Sequence, residues 1–591
     1  MKRRKLFVAL SLASMMLVLT SCGTSEDSVV IYSEDAYNYE IVCSMQMGVD
    51  EATSISTLTD TLKDSCGSAP SLVYEADVKE PSKTAEILIG QLNRDECKIP
   101  KLEDQEAYWC VKKVGKDIVI NGSTPSALKA AMDYFMTLCS YDKETSTFSV
   151  AGKLDEEHIM KGYFREGWLL TEIPSYWGGQ ELSAVYDCGT TVTDSARNED
   201  KCLMQSALDT TEKEVADYVK LLEENGFKKI SENTMENNVF YRYTNDECKV
   251  SVNYFANEGV TDIIWDGSSI ALNDVSYTYE PKEGERTEMY LYGLYRRYYD
   301  DSTKNDSIAI RGGLAMVIKC ADNSVIVIDG GDSDIQLDYE KQAEFLDFLY
   351  EVTGQSKGEK IRISAWYITH GHGDHANGVA AFLTNFGSNV NLERLLVNLP
   401  DKDKVEVSDV VVNNIGKGVS SFKYAETKLH TGDVLQIADV KMEVIYTHED
   451  LATKSAIWAG DGSADSSNDA STVIKLTTSD GMSLLMTGDM NYTTCAAIEK
   501  NFTTETLKST LALIPHHLYN NIPESYFVAT APQYFLAGAD VYNVNNNSTT
   551  KAQYAFGEKY SQGVYCEQDT YGFAFEDEKA VVIYHKEMFK G

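Results

Sequence analysis

Basic charge is in short supply along this chain: 53 lysines and arginines face 91 acidic residues in a length of 591, leaving a formal net charge of −38. A surface of that sign repels nucleic acid and anionic lipid headgroups. No basic stripe interleaved with aromatics offsets it, so nucleic acid is disfavoured as a partner. Organised cysteine is missing too. The twelve cysteines include no CxxC pair and no regular spacing, in a chain too long to need staples, so mostly buried thiols are expected, with one or two disulfides whose pairing the spacing does not reveal. There is no internal repeat and no low-complexity linker. Histidine is scarce as well, with only nine in the chain. What is present is apolar substance: 43% hydrophobic and 10% aromatic residues, enough for sizeable cores in three or four globular units.

The first 22 residues read as targeting. Lys2, Arg3, Arg4 and Lys5 form a basic head, Leu6 to Leu19 is an apolar run too short to span a bilayer comfortably, and "LTSC" ends at Cys22. This resembles a bacterial lipoprotein signal peptide, which implies a lipid on Cys22 as the mature N-terminus. The expected location is the cell membrane, with the protein exported, lipid-anchored and facing the extracellular side. A plain secretory signal is the alternative, and it exports the protein equally. Removing the leader takes away four basic residues and no acidic ones, so the mature charge is more negative still.

Residues 23–158 alternate strand and helix patterns. "SVVIYS", "EIVCSM", "SLVYEA" and "AEILIGQ" are short β-rich runs, "YWCVKKVGKDIVING" reads as a hairpin turning at Gly115, and a helix opens with Thr124 as N-cap and Pro125 in its first turn. This predicts an α/β unit. The stretches "AEILIGQLNRDE" and "YWCVKKVGKDIVINGSTPSALKAAMDYFM" resemble the small α/β domain that precedes the catalytic domain in several exported carbohydrate-active enzymes, among them β-hexosaminidases and α-glucuronidases. The resemblance implies an accessory domain and no particular reaction. Residues 159–285 read as a small α+β domain: a helix in "TTEKEVADYVKLLEENGF" behind Thr210 or Thr211, then the strands "VFYRYTN", "CKVSVNYFA" and "TDIIWD". Trp168, Tyr176 and Trp177 are read as packing residues in preference to a carbohydrate platform, and "YEPKEGER" as a hinge.

Residues 286–591 carry the chemistry. "SVIVIDGGDS" is an apolar strand that delivers Asp329 into a Gly-Gly turn, "RISAWYITHGHGDH" delivers His370, His372, Asp374 and His375, "SLLMTGDM" delivers Asp489, and "TLALIPHH" delivers His516 and His517. Three of the nine histidines therefore fall within six residues. Imidazole and carboxylate together suit borderline divalent ions such as zinc. His370 and His372, two apart in an extended segment, can face one ion while the turn at Gly373 directs Asp374 and His375 to a second. His158 and His585 are read as structural, and His430 as a loop residue.

These motifs, in this order, resemble the metallo-β-lactamase superfamily, and most closely the branch holding the competence-related DNA-uptake nuclease domain and phosphorylcholine esterases. The resemblance spans roughly residues 288 to 591. It implies an αββα sandwich behind the two smaller α/β and α+β domains, and two divalent metal ions, Zn2+ foremost with Mn2+ or Fe2+ as alternatives. Carried over, His370 and His372 hold the first ion, Asp374 and His375 the second, and Asp489 bridges them. His517, or equally His516, completes the second site. Asp329 orients the ligands by hydrogen bonding, and Asp374 and Asp329 are the carboxylates assigned to catalysis. His448, close to the place of the family's middle histidine but without the Pro-Gly that precedes it there, is a further candidate ligand. The last motif runs on as "HHLYN" where the DNA-uptake branch has His-His-Gly, and "NVNNNSTT" replaces its Asn-x-x-x-His-Pro, so that branch's substrate contacts do not carry over.

The function expected is a binuclear metal-dependent hydrolase using a metal-activated water. The favoured substrate is a phosphodiester or related ester outside the cell, either a small molecule or part of a cell-surface polymer. The alternative is a surface glycan-binding lipoprotein with a vestigial or structural metal site.

Overall fold

Alternating apolar residues on short β-branched strands decide which faces are covered. The structure, a computed structural model, describes residues 28–588 apart from 45–48, 79–83, 104–105, 151–153, 163–164, 166, 190–201, 246–247, 268–275, 295, 301–304, 310–312, 333–338, 401–414, 453–463, 520, 540–543 and 546. The leader with Cys22, and part of "NVNNNSTT", lie outside the described residues. The protein is mixed α/β and divides into two compact units, one taking the described residues up to Trp177 with Lys220–Gly226, the other Gly178–Val219 with Phe227 onward.

In the first unit, a six-stranded sheet runs in the order Asp155–Lys161, Glu106–Val114, Asp117–Gly122, Ala85–Ile89, Tyr39–Cys43, Leu72–Tyr74. The four strands from Asp117–Gly122 to Leu72–Tyr74 pair in parallel, which requires both faces to be buried. Ile41, Ile87, Ile89, Ile118 and Ile120 accordingly pack on Leu58, Leu62, Leu128 and Phe135 of the helices Val49–Cys66 and Pro125–Leu138. Their neighbours Val42, Leu88 and Val119 turn to the opposite face, against Leu92 and Cys97. Thr124 caps the second helix, its hydroxyl accepting from the Ala127 N–H at 3.1 Å. The hairpin turns at Gly115, in the left-handed region. A separate four-stranded sheet joins residues near Val29 and Val150.

The second unit holds three larger sheets. An antiparallel sheet is built from Glu181–Leu182, Tyr186–Asp187, Cys202–Leu208, Val260–Asp266, Lys249–Phe255, Asn238–Thr244 and Lys228–Met235. Thr211 and Glu214 form a reciprocal cap at the start of the helix Glu212–Glu224. This sheet shares its unit with the C-terminal residues and is tied to them by buried polar contacts. Arg242 pairs with Asp433 at 2.5 Å and donates to the Thr431 carbonyl at 2.7 Å, and Asn238 donates to the Asn501 carbonyl at 2.9 Å.

The other two sheets face each other. One contains, in order, Ala425–Lys428, Arg394–Val397, Ile361–Ile368, Val325–Asp329, Ala315–Lys319, Glu288–Leu291, Thr570–Glu576 and Lys579–Lys586. The second contains Tyr277–Thr278, Val434–Ala438, Val440–Tyr446, Val473–Thr478, Ser483–Met486, Leu511–Ile514, Tyr534–Ala537 and Val564–Cys566. Met316, Ile318, Ile326, Ile328 and Tyr367 of the first interlock with Met442, Val444, Ile474, Leu476, Leu484 and Leu513 of the second in one core. Residues of opposite parity, Val325 and Val327, meet Phe345, Phe348, Val379 and Phe382 of the helices Tyr339–Thr353 and Gly373–Phe386. Leu485, Ala512 and Phe535 meet Cys495, Ile498 and Phe527 of the helices Tyr492–Asn501 and Glu524–Thr530.

Candidate metal centre

Parallel pairing explains why the polar residues meet. Val325–Asp329 and Ile361–Ile368 run in parallel as neighbours, and so do Ser483–Met486 and Leu511–Ile514, so Asp329, the histidine window, Asp489 and the His516-His517 pair all leave strands at C-terminal ends. The window then turns into the helix Gly373–Phe386, with His372 at its N-cap and Asp374 in its first turn, where the helix dipole favours a carboxylate. That helix sits close on the Gly330-Gly331 turn: the Gly378 N–H donates to the Gly331 carbonyl at 3.1 Å, and a Cβ on Gly378 would fall on the Gly330 carbonyl oxygen. Absence of side chains at both positions is what lets Asp329 and His375 approach. His516, His517 and Leu518 are three consecutive residues with left-handed φ of 51°, 52° and 69°, a costly backbone that turns His517 inward.

Two donor groups result, sharing Asp489: Asp374, His375, Asp489 and His517 in one, His370, His372 and Asp489 in the other. His375 Nε2 lies 3.2 Å from Asp489 Oδ1 and 3.2 Å from His517 Nε2. His517 Nε2 lies 3.3 Å from Asp489 Oδ2 and 3.3 Å from Asp374 Oδ2. His370 Nε2 is 3.9 Å from Asp489 Oδ2. Behind them, the far ring nitrogens are held. His375 Nδ1 is 2.7 Å from Asp329 Oδ2, and His517 Nδ1–H donates to the Gly538 carbonyl at 2.6 Å. Asp329 is itself fixed by the Thr369 N–H at 2.9 Å and the Thr369 hydroxyl at 2.8 Å.

The electrostatics suit a cation. Burial holds His370 well below the ordinary imidazole range and lowers His372 as well, leaving both neutral with a free lone pair. Burial works against charge on His375 and His517, but Asp489 and the neighbouring carboxylates lift both well above that range, so without a metal these rings carry the protons that a divalent ion would displace. Burial also opposes ionisation of Asp489, yet His375 and His517 hold it well below the usual carboxylate range. His370 Nε2 is buried with no hydrogen-bond partner, an orphan that a metal bond would satisfy. The residues fit divalent metal ions.

Of the residues expected here, the structure brings together His370, His372, Asp374, His375, Asp489 and His517, with Asp329 behind His375. His516 stands at the margin, its Nε2 3.9 Å from Asp489 Oδ2 and 3.4 Å from Asn468 Nδ2. His448 is not brought to the cluster. Its Nδ1 lies 3.0 Å from the Tyr186 hydroxyl and its Nε2 2.9 Å from Asn398 Oδ1, and burial pushes its pKa down to about 3. His430 is fully buried, lodged between Asp266 and Glu449, although the sequence reads it as a loop residue. Thr369, the Gly538 carbonyl and Ser471, whose hydroxyl accepts from the Asp489 N–H at 3.0 Å, were not foreseen. Only Thr369 carried a signal, as the polar residue that ends an apolar strand just before the first histidine.

Residues 309–495 match the model of the Metallo-beta-lactamase superfamily. No curated protein gives a significant match. Among solved structures, the metallo-beta-lactamase fold protein YhfI from Bacillus subtilis is similar at 10% identity, with 48% of this chain and 96% of that chain covered and a TM-score of 0.28. A Cronobacter sakazakii (Enterobacter sakazakii) metallo-beta-lactamase with a HARLDQ motif is similar at 14% identity, with 34% of this chain and 66% of that chain covered and a TM-score of 0.21. In its C-terminal part, this chain carries a metallo-β-lactamase superfamily domain.

Proposed function

We propose that the chain is a binuclear metal-dependent hydrolase acting outside the cell on a phosphodiester or related ester. The observation that carries this reading is the pair of donor groups sharing Asp489. His370 and His372 would hold one ion, Asp374, His375 and His517 the other, and Asp489 both. Two such ions supply Lewis acidity, an activated water at neutral pH and a clamp on the attacking and leaving oxygens of a phosphodiester.

The chain's own residues do the rest. Asp329 and the Gly538 carbonyl orient His375 and His517 so that each Nε2 faces the cluster, and Thr369 fixes Asp329. The side chains of Asp374 and His516 are 36% and 23% exposed, whereas those of His370 and His375 are fully buried. Substrate therefore approaches from the Asp374 and His516 side, where Asp374 is also placed to accept a proton from water. Zinc is the favoured ion, since imidazole and carboxylate donors together suit it. The proposed setting is the outer face of the cell membrane, through a lipid on Cys22. The strongly acidic composition supports a substrate other than nucleic acid.

The test is hydrolysis of bis-p-nitrophenyl phosphate by purified protein lacking the leader, alongside a panel of lactones and glycan esters. Metal-dependent turnover of the diester, abolished in Asp374→Ala, supports the reading. Turnover confined to lactones or glycan esters replaces the substrate class.

A further inference from the structure

Away from the centre just described, sulfur, nitrogen and carboxylate donors converge at a second place. Cys188 follows the strand Tyr186–Asp187, which pairs antiparallel with Cys202–Leu208, and the pairing continues one step beyond, with the Cys188 N–H donating to the Cys202 carbonyl at 2.9 Å. On the other side of that strand, Cys202 is the register partner of Asp266. Cys188, Cys202 and Asp266 thus stand side by side across three neighbouring strands. From the C-terminal residues, His430 and Glu449 reach the same spot, and none of the five is more than 1% exposed.

Their donor atoms are close. Those of Cys202, Asp266 and His430 lie within 4.8 Å of one another, as do those of Cys188, Cys202 and Glu449. His430 Nδ1 is 3.0 and 2.9 Å from the two Glu449 carboxylate oxygens, and His430 Nε2 is 3.2 and 3.0 Å from those of Asp266. The arrangement repeats that of His375, in which a carboxylate grips Nδ1 and Nε2 faces the remaining donors. Nitrogen and oxygen ligands of a tetrahedral zinc, each about 2.0 Å from the ion, stand about 3.3 Å apart. An imidazolium bridged between two carboxylates would show similar spacing. Such a bridge accounts for His430 and the two carboxylates; the two thiols share the site, Cys202 hydrogen-bonding Asp266 and Cys188, and Cys188 Sγ reaching the Tyr186 carbonyl at 3.9 Å.

We propose that Cys202, Asp266 and His430, whose donor atoms already lie together, form a closed, structural zinc site that Cys188 completes from beside Cys202, with Glu449 orienting His430 through its Nδ1–H. Four protein ligands and no exposed donor are what a structural site requires, leaving no position for substrate. The site joins the strands of residues 186–266 to the turn at His430. Lys249, 3.3 Å from Asp266 Oδ2, and Lys428, which donates to the Cys188 carbonyl at 2.7 Å, balance the remaining negative charge.

The test is cobalt substitution of the purified full chain, because the candidate hydrolytic centre contains no thiolate and cannot give a sulfur signal. Metal-stripped wild type titrated with Co2+ is expected to show a thiolate-to-cobalt charge-transfer band. The band should survive the His370→Ala/Asp489→Ala double variant and vanish in Cys188→Ser/Cys202→Ser, with loss of about one equivalent of metal. Glu449→Gln keeps both sulfurs and should retain the band while weakening Co2+ about 10–100-fold. This keeps the proposal testable if the serine variant fails to fold. Folded wild type without the band, or a band unchanged in the serine variant, overturns the proposal. So does a native mass lower by two hydrogens than the reduced chain, marking a Cys188–Cys202 disulfide.

Discussion

Asp329 Oδ2 lies 2.7 Å from His375 Nδ1, and this contact decides which nitrogen of the ring is left to face Asp489, Asp374 and His517. Both side chains are fully buried. An amide at position 329 retains the size and loses the charge that holds the ring proton. Asp329→Asn should therefore weaken metal binding at the Asp374, His375 and His517 group by about 10–100-fold, measured by competition with a chelator. Unchanged affinity would mean that the ring is oriented by something else.

Backbone proximity of the Gly330 turn and the helix starting at Gly373 leads to a second expectation. A methyl at position 378 meets main chain, which cannot rotate aside as a side chain would. Gly378→Ala should cost about 1–3 kcal/mol in denaturant unfolding and lower metal affinity with it. A neutral outcome in both would show that the turn is free to shift.

Arg242 is a third test. Its guanidinium, about 5% exposed, pairs with Asp433 and reaches the Thr431 and Tyr241 carbonyls and Asn253. Removing it leaves a buried carboxylate and several acceptors without their donor. Arg242→Ala should destabilise the second unit by about 3–5 kcal/mol, read from the unfolding midpoint at constant slope.

Asp322 is expected to contribute to a loss of stability in acid. Burial alone would raise its pKa, but hydrogen bonds from Ser324 and Tyr277 and the Arg362 guanidinium at 2.7 Å hold it below the ordinary carboxylate value. A depressed folded pKa means stabilisation that is present above the unfolded value of about 3.9 and lost as pH falls through the folded one. The stability difference between wild type and Asp322→Asn should therefore be constant near neutrality and shrink in acid. A gap that widens in acid contradicts this.

How much of this was legible beforehand differs residue by residue. The window from His370 to His375 could be read because its ligands are local, and Asp329 and Asp489 because each ends an apolar strand at a glycine turn. The choice between His516 and His517 depended on a left-handed backbone that no pattern announces. His448 misled for a reason that can be named: it does follow the strand Val440–Tyr446, but its ring is claimed by Tyr186 and Asn398, which are far away in sequence. The Gly538 carbonyl is main chain and leaves no mark in residue identity. Cys188 and Cys202 went unread because they meet across strands and not along a motif, and His430 because a polar turn residue gives no hint that Asp266 and Glu449 enclose it.

The central claim is that these donors hold a working pair of metal ions, and metal content with activity on the same preparation tests it most directly. Wild type should carry about two more equivalents of divalent metal than a His370→Ala/His375→Ala/Asp489→Ala variant that remains folded, and should lose diesterase activity on chelation and regain it with Zn2+. Fully folded wild type with the same metal content as that variant, or with activity indifferent to chelation, would contradict the account.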